Sequence, residues 1–201
     1  VCKALFICDT PLASTVGMSD KLESNMKKAR EILAEAKYDG TPVTLLHSTD
    51  LEVLTNLAPV AKSLMERAGF KVDMQSMDWQ SVVARRVKKE APSAGGWNAF
   101  LTSWVAADVL NPAGAAFLAG TCDKAPPGWP CDEQMEKLRD QFARETNAGK
   151  QRTIAEQVQL RYLENPTHVH LGQWKKPIVM RKNIDGFVVA PVIAFWNVTK
   201  K

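Results

Sequence analysis

Gly96-Trp97-Asn98-Ala99-Phe100-Leu101-Thr102-Ser103-Trp104-Val105-Ala106-Ala107-Asp108-Val109-Leu110-Asn111-Pro112 is the stretch whose reading fixes the fold class. Residues 97–104 are mostly apolar, aromatic or small and follow Gly95-Gly96, the pattern of a buried strand. Past its end stands one carboxylate, Asp108, and then Asn111-Pro112, a pair that stops regular structure. A lone acid beyond the carboxyl end of a buried strand is where an α/β sheet presents its chemistry.

Upstream, strands and helices alternate. Residues 3–8 read as a short strand. A helix capped by Ser24 or Asn25 runs to about Lys37, with Met26, Ala29, Ile32, Leu33 and Ala36 at helical spacing. Pro42–Leu46 is a second buried strand, and its end carries His47-Ser48-Thr49-Asp50, small polar groups that open the next helix. That helix has Leu54, Leu57, Ala61, Leu64, Met65 and Ala68 along one side; Pro59 must fall in its first turns or kink it. Gly69 closes it, and Lys71–Met77 alternates as a strand. Asp78 caps a helix with Trp79, Val82, Val83 and Val87 inward and Arg85, Lys88 and Lys89 outward. The order β-α-β-α-β-α-β over the first hundred residues is the signature of an α/β fold with a mostly parallel sheet flanked by helices.

Downstream, Asp132 caps a helix to about Glu145. A long amphipathic helix then carries Ile154, Val158, Leu160, Tyr162 and Leu163 to Asn165-Pro166. Thr167–Trp174 reads as a strand, and the tail holds strand-like pieces at Ile178–Met180 and Phe187–Val189.

The net charge of +4 comes from Lys and Arg scattered through helical segments with no block of like charge, which argues against nucleic acid as a partner. No apolar run approaches the roughly 20 residues of a membrane span. Because an apolar strand-like run begins at once at Val1, the chain is expected to be a piece of a longer protein.

Four cysteines form two close pairs, Cys2/Cys8 and Cys122/Cys131. Neither pair has the spacing of a zinc knuckle and no His lies near them, so no metal is expected there. Two local disulfides fit the spacing and imply an oxidising compartment; four reduced thiols in the cytosol are the alternative. Between Cys122 and Cys131, Asp123–Pro130 is a turn-rich excursion that such a bridge would clamp.

Several motifs in order resemble the family 5 extracellular solute-binding proteins of ABC importers, the dipeptide and oligopeptide binders. They are Ala68-Gly69-Phe70-Lys71-Val72, Met77-Asp78-Trp79, the run W-x-x-x-D-x-x-N-P from Trp104 to Pro112, Gly128-Trp129-Pro130-Cys131-Asp132, His170-Leu171-Gly172-Gln173-Trp174 and Arg181–Gly186. The resemblance covers essentially the whole chain. It implies one lobe of a two-lobed periplasmic binding protein (type II-like, peptide-binding cluster). Residues 1–173 would form the C-terminal α/β lobe, and residues 174–201 a tail that returns to the N-terminal lobe of the same parent protein. It further implies a periplasmic protein that captures short peptides and delivers them to an ABC permease in the inner membrane, with no cofactor. The acid of the loop, which in that family takes the positive amino end of a peptide, maps onto Asp108.

The residues admit bland readings beside these. Asp108 meets an ammonium in a charge-assisted bond, or it caps its loop as an Asx turn with Asn111-Pro112. Trp104 walls the pocket or is core. His47 and Ser48, ending a neighbouring strand, reach toward the ligand's carboxylate end or serve the helix that follows. The expected ligand-binding set is Asp108, Trp104, Asn111, His47 and Ser48, with Asp108, His47 and Trp104 converging in space. A non-peptide solute (a nickel chelate, glutathione, an opine or a sugar) is the alternative within the same fold. From a different class, His168-x-His170 with His47 would make a metal-dependent α/β hydrolase. No nucleophile motif, phosphate-binding glycine loop or paired acids at glycosidase spacing is present, so no catalytic residue is expected.

Overall fold

Val43–Ser48 (β1) is the middle strand of a three-stranded parallel sheet, between Val72–Met77 (β2) and Ala99–Phe100 (β3). A central strand is covered on both faces and reads as a nearly continuous apolar run, and β1 is buried from Thr44 to Ser48. The computed structural model describes residues 4–18, 23–190 and 193–201. It divides into two units, Glu23–Ser103 and Val1–Leu22 with Trp104–Lys201, taken in turn below.

In the unit Glu23–Ser103, the helices are Met26–Glu35 (α1), Glu52–Thr55 (α2), Leu57–Ala68 (α3) and Trp79–Arg86 (α4). Asn25 caps α1 by accepting the Lys28 N–H, and Asp78 caps α4 by accepting the Ser81 N–H, both as expected. The single helix expected over residues 51–68 breaks at Asn56, which leaves Pro59 in the first turn of α3, where its missing N–H is harmless. Gly69 ends α3 at φ 109°, and the Phe70 N–H reaches back to the Met65 carbonyl at 3.0 Å, closing a Schellman cap. Leu45, Leu46, Leu54, Ala58 and Val82 form this unit's interior.

Two details of that unit differ from expectation. The strand expected over residues 97–104 shrinks to Ala99–Phe100. Asn98 exchanges two bonds with Thr44, one from its backbone N–H (3.0 Å) and one to its side-chain Oδ1 (2.8 Å), so it extends the pairing without continuing a ladder. The helix α4 also presents its residues differently. Val87 is 60% exposed, whereas Arg85 turns in to donate to the Gly95 and Gly96 carbonyls (3.0 and 2.9 Å) and to Gln75. A guanidinium can satisfy several loop carbonyls at once, so the charge goes in and the valine stays out.

In the other unit, Glu133–Arg144 (α5) and Ala148–Glu164 (α6) form a helical hairpin capped by Asp132 and Asn147. Leu5, Phe6, Ala115, Leu118, Met135, Leu138, Phe142, Ala155, Val158 and Tyr162 make its core. Leu5 and Phe6 belong to no strand. Instead, Gln159, 1% exposed on α6, accepts the Leu5 N–H (2.9 Å) and donates to the Ser14 and Val16 carbonyls (3.0 and 2.6 Å). A side-chain amide thus satisfies the backbone groups that a ladder would have used. Leu160, one of the apolar residues of this amphipathic helix, is 41% exposed.

The strand expected at Thr167–Trp174 is absent, because the Tyr162 hydroxyl takes the His168 carbonyl at 2.6 Å and holds an irregular segment. In the tail, Ile178–Met180 is irregular. Ile184–Asp185 (β4) pairs antiparallel with Thr199–Lys200 (β5), and Val188 bridges Ala194. Among the described residues no helix is long and apolar enough to cross a membrane.

Candidate functional site

After Trp104 the chain turns through a 3-10 helix, Ala106–Val109, begun by the Asp108 N–H on the Val105 carbonyl at 3.0 Å. Val109 and Pro112 point in and are buried, which leaves Asp108 on the outside. Among the described residues the Asp108 carboxylate has no hydrogen bond or ion pair. The turn is instead held by Asn111, whose Oδ1 accepts the Gly114 N–H at 2.8 Å, and by Arg139 of α5, whose Nε donates to the Pro112 carbonyl at 3.0 Å. The capping thus falls to Asn111, and Asp108 is spared it.

Trp104 is 43% exposed and meets Phe117 with ring centroids 6.1 Å apart. Phe117 leads on to His168 (4.5 Å) and His170 (5.7 Å), and Tyr162 backs both imidazoles. An aromatic row therefore adjoins the loop that carries Asp108. Phe117 and Arg139 are absent from the sequence-derived set. Each meets a partner far away in the chain, and neither lies in a local motif that would single it out.

His47 and Ser48 belong to the other unit, where they end β1. His47 is 8% exposed and both of its ring nitrogens are engaged. Nε2 lies 2.9 Å from the Thr55 carbonyl, which can only accept, so Nε2 carries a proton, and Nδ1 pairs with the Ser76 hydroxyl at 2.9 Å. Ser48 is buried and donates to Asp50 Oδ1, which also accepts the Trp79 N–H at 2.7 Å. Both side chains would have to surrender a bond to reach a ligand. In the same unit the Trp97 Nε1–H donates to the Arg86 carbonyl, and the Arg86 guanidinium lies over the Trp79 and Phe100 rings.

Cys122 and Cys131 form a disulfide that pins the excursion between them, and the flanking Thr121 and Cys131 form a single antiparallel bridge. Cys8 is disulfide-bonded, and the Cys2 of the other expected pair lies outside the described residues. No group of three or more His, Cys, Asp or Glu side chains is arranged to hold a metal among the described residues, so the hydrolase reading finds no metal centre there.

The sequence pattern of the bacterial extracellular solute-binding proteins, family 5 Middle, matches residues 9–126, well over half of the chain. The chain belongs to this solute-binding family. A probable peptide ABC transporter periplasmic-binding protein of Sinorhizobium fredii is 28% identical over 174 residues, 87% of this chain and 33% of that protein. In fold, the chain is similar to the oligopeptide-binding protein AppA from Bacillus subtilis in complex with a nonapeptide. The TM-score is 0.66 at 17% identity, covering 89% of this chain and 38% of that one. It is likewise similar to the PBP AgaA from A. tumefaciens R10 in complex with agropinic acid, with a TM-score of 0.65 at 20% identity, covering 82% and 34%. The family 5 chain described here therefore spans about a third of the length of the relatives it matches. The α/β class, with a parallel sheet flanked by helices, is the one expected from the sequence and the one these binding proteins share.

Proposed function

We propose that this family 5 chain is the C-terminal lobe of a substrate-binding protein that captures short peptides with a free amino end in the periplasm and hands them to an ABC permease in the inner membrane. The observation that carries the reading is Asp108: an exposed carboxylate with no partner among the described residues, on a turn that Asn111 and Arg139 already hold, four residues past the half-exposed Trp104. In a closed cleft such an acid meets an ammonium in a charge-assisted bond, stronger than a neutral one. Trp104, with Asn111 fixing the turn, supplies the wall, and His47 and Ser48 end a strand where α/β sheets present ligands.

Residues 1–173 are proposed as the lobe and residues 174–201 as the tail that returns to the N-terminal lobe. Val179, Val189 and Trp196 of that tail are 92%, 91% and 92% exposed, an unburied apolar load that a second lobe would cover. Binding then acts by lobe closure: a ligand that touches both lobes favours the closed form, and the permease reads that form.

A second reading keeps the mechanism and changes the cargo to a non-peptide solute. The fold shared with a protein seen in complex with agropinic acid favours it, since one scaffold serves both kinds of ligand. Native mass spectrometry of the full-length parent, incubated with a pool of di- and tripeptides, separates the two. A one-to-one peptide adduct supports the first reading. Bare protein from the peptide pool, with an adduct from a pool of opines and sugars, supports the second.

A further inference from the structure

His168 and His170 are the part of the chain that the solute-binding reading leaves unused. They sit on an irregular segment between the end of α6 and the tail, with ring centroids 5.1 Å apart. The segment is thinly attached, since Val169 and Leu171 between and beside the imidazoles are 73% and 63% exposed. What holds it is the pair of rings against Phe117 and Tyr162, at 4.5 and 4.6 Å for His168 and 5.7 and 6.0 Å for His170, and the Tyr162 hydroxyl on the His168 carbonyl.

That seat favours neutral imidazoles over charged ones. A charged imidazolium has two N–H donors, and in His168 only Nδ1 has a partner, the Thr167 hydroxyl at 3.0 Å; Nε2 is buried with none. The groups facing the pair are Phe117 from the 3-10 helix Ala116–Leu118, Tyr162 from α6 and Thr167 from the segment itself. Among the described residues no carboxylate contacts either ring, so no anion compensates a positive charge, and the Phe117 and Tyr162 rings offer only their weaker π faces.

We propose that residues 167–171 are a proton-operated latch, seated against Phe117 and Tyr162 while both imidazoles are neutral and unseated when the pair is protonated. The environment agrees with the geometry. Burial, with a smaller contribution from His170, pushes His168 from 6.5 to about 3, and burial lowers His170 as well. Unseated, each imidazole recovers an ordinary value near 6.5, so protons bind the open form and acid favours it. For His168 alone the ratio of open to seated segment rises about thirty-fold between pH 7.5 and pH 5.

The chain has two tyrosines, Tyr38 and Tyr162, so 3-fluorotyrosine labelling gives two 19F signals that a Tyr38→Phe variant assigns. The expected result is that the Tyr162 signal moves from a buried to a solvent-exposed position between pH 7.5 and 4.5. In a His168→Phe, His170→Phe variant, which keeps ring packing and cannot protonate, it should stay in place. The imidazole resonances of the unsubstituted chain give an independent reading. Two histidines titrating together with the Tyr162 signal support the latch. Two histidines titrating near pH 6.5 while Tyr162 stays unmoved overturn it, as does the same Tyr162 shift in the variant.

Discussion

The Arg161 Nε–H of α6 points at Oδ2 of Asp132 at 2.8 Å, and Asp132 is also the cap of α5, its Oδ1 accepting the Met135 N–H at 3.0 Å. One carboxylate, its side chain only 6% exposed, thus joins the start of one helix of the hairpin to the end of the other. Burial raises its pKa, but Arg161, the Met135 N–H and the Asn165 amide together outweigh that and hold it below the usual carboxylate range. A group whose folded value is depressed adds stability that is complete above its unfolded value near 4 and is lost as pH falls through the folded value.

Asp132→Ala should therefore destabilise the chain at pH 7 by about 2 to 3 kcal/mol, the lost cap plus the loss of the closer of the two carboxylates that Arg161 meets, Glu164 at 3.4 Å being the other. Asp132→Asn should cost less, since it keeps the cap. Urea denaturation at pH 7 and pH 3 checks this: the gap between the unsubstituted chain and either variant should narrow in acid.

Gln159→Leu preserves size but leaves the Leu5 N–H and the Ser14 and Val16 carbonyls without their partner in a buried place. A loss of about 2 to 4 kcal/mol is expected, because each orphaned buried group costs about 1 to 3 and some will reach water. Fluorescence-monitored denaturation measures the loss. A cost below about 1 kcal/mol would show that the segment carrying Leu5 and Phe6 is held by packing alone.

The Cys122–Cys131 bridge closes a short loop, with a separation of 9 residues. By the loop-entropy relation, replacing both cysteines with serine should cost about 2 to 3 kcal/mol and lower the melting temperature in calorimetry. Thiol titration of the unfolded, unreduced chain should find neither of these two cysteines free.

The legible parts of the fold were those written in local pattern. Asn25, Asp78 and Asp132 cap their helices by accepting the N–H three residues on, a signal confined to four positions; Asn147 does the same for α6 without having been singled out. The central strand β1 announced itself by its apolar run. The break at Asn56 and the exchange of Val87 for Arg85 are helix errors, whereas the strand errors arise where backbone groups bond to a side chain in place of a ladder. Gln159 replaces a ladder for Leu5, Asn98 shortens β3, and the Tyr162 hydroxyl holds the His168 segment. In the candidate site, the turn at Asn111-Pro112 and the isolated acid were readable. Arg139 and Phe117 were not, because the contacts that matter for them are made only after the hairpin folds.

The central claim is that Asp108 receives the amino end of a peptide. Isothermal titration calorimetry of the full-length parent and its Asp108→Ala variant, with a dipeptide and tripeptide pool, tests it most directly. The account predicts tight binding that the variant loses by at least about a hundred-fold, as breaking a buried charged pair does, with unchanged melting of the ligand-free protein, since the carboxylate has no folding partner among the described residues. Equal affinity for both proteins would contradict it and leave Asp108 an ordinary surface acid.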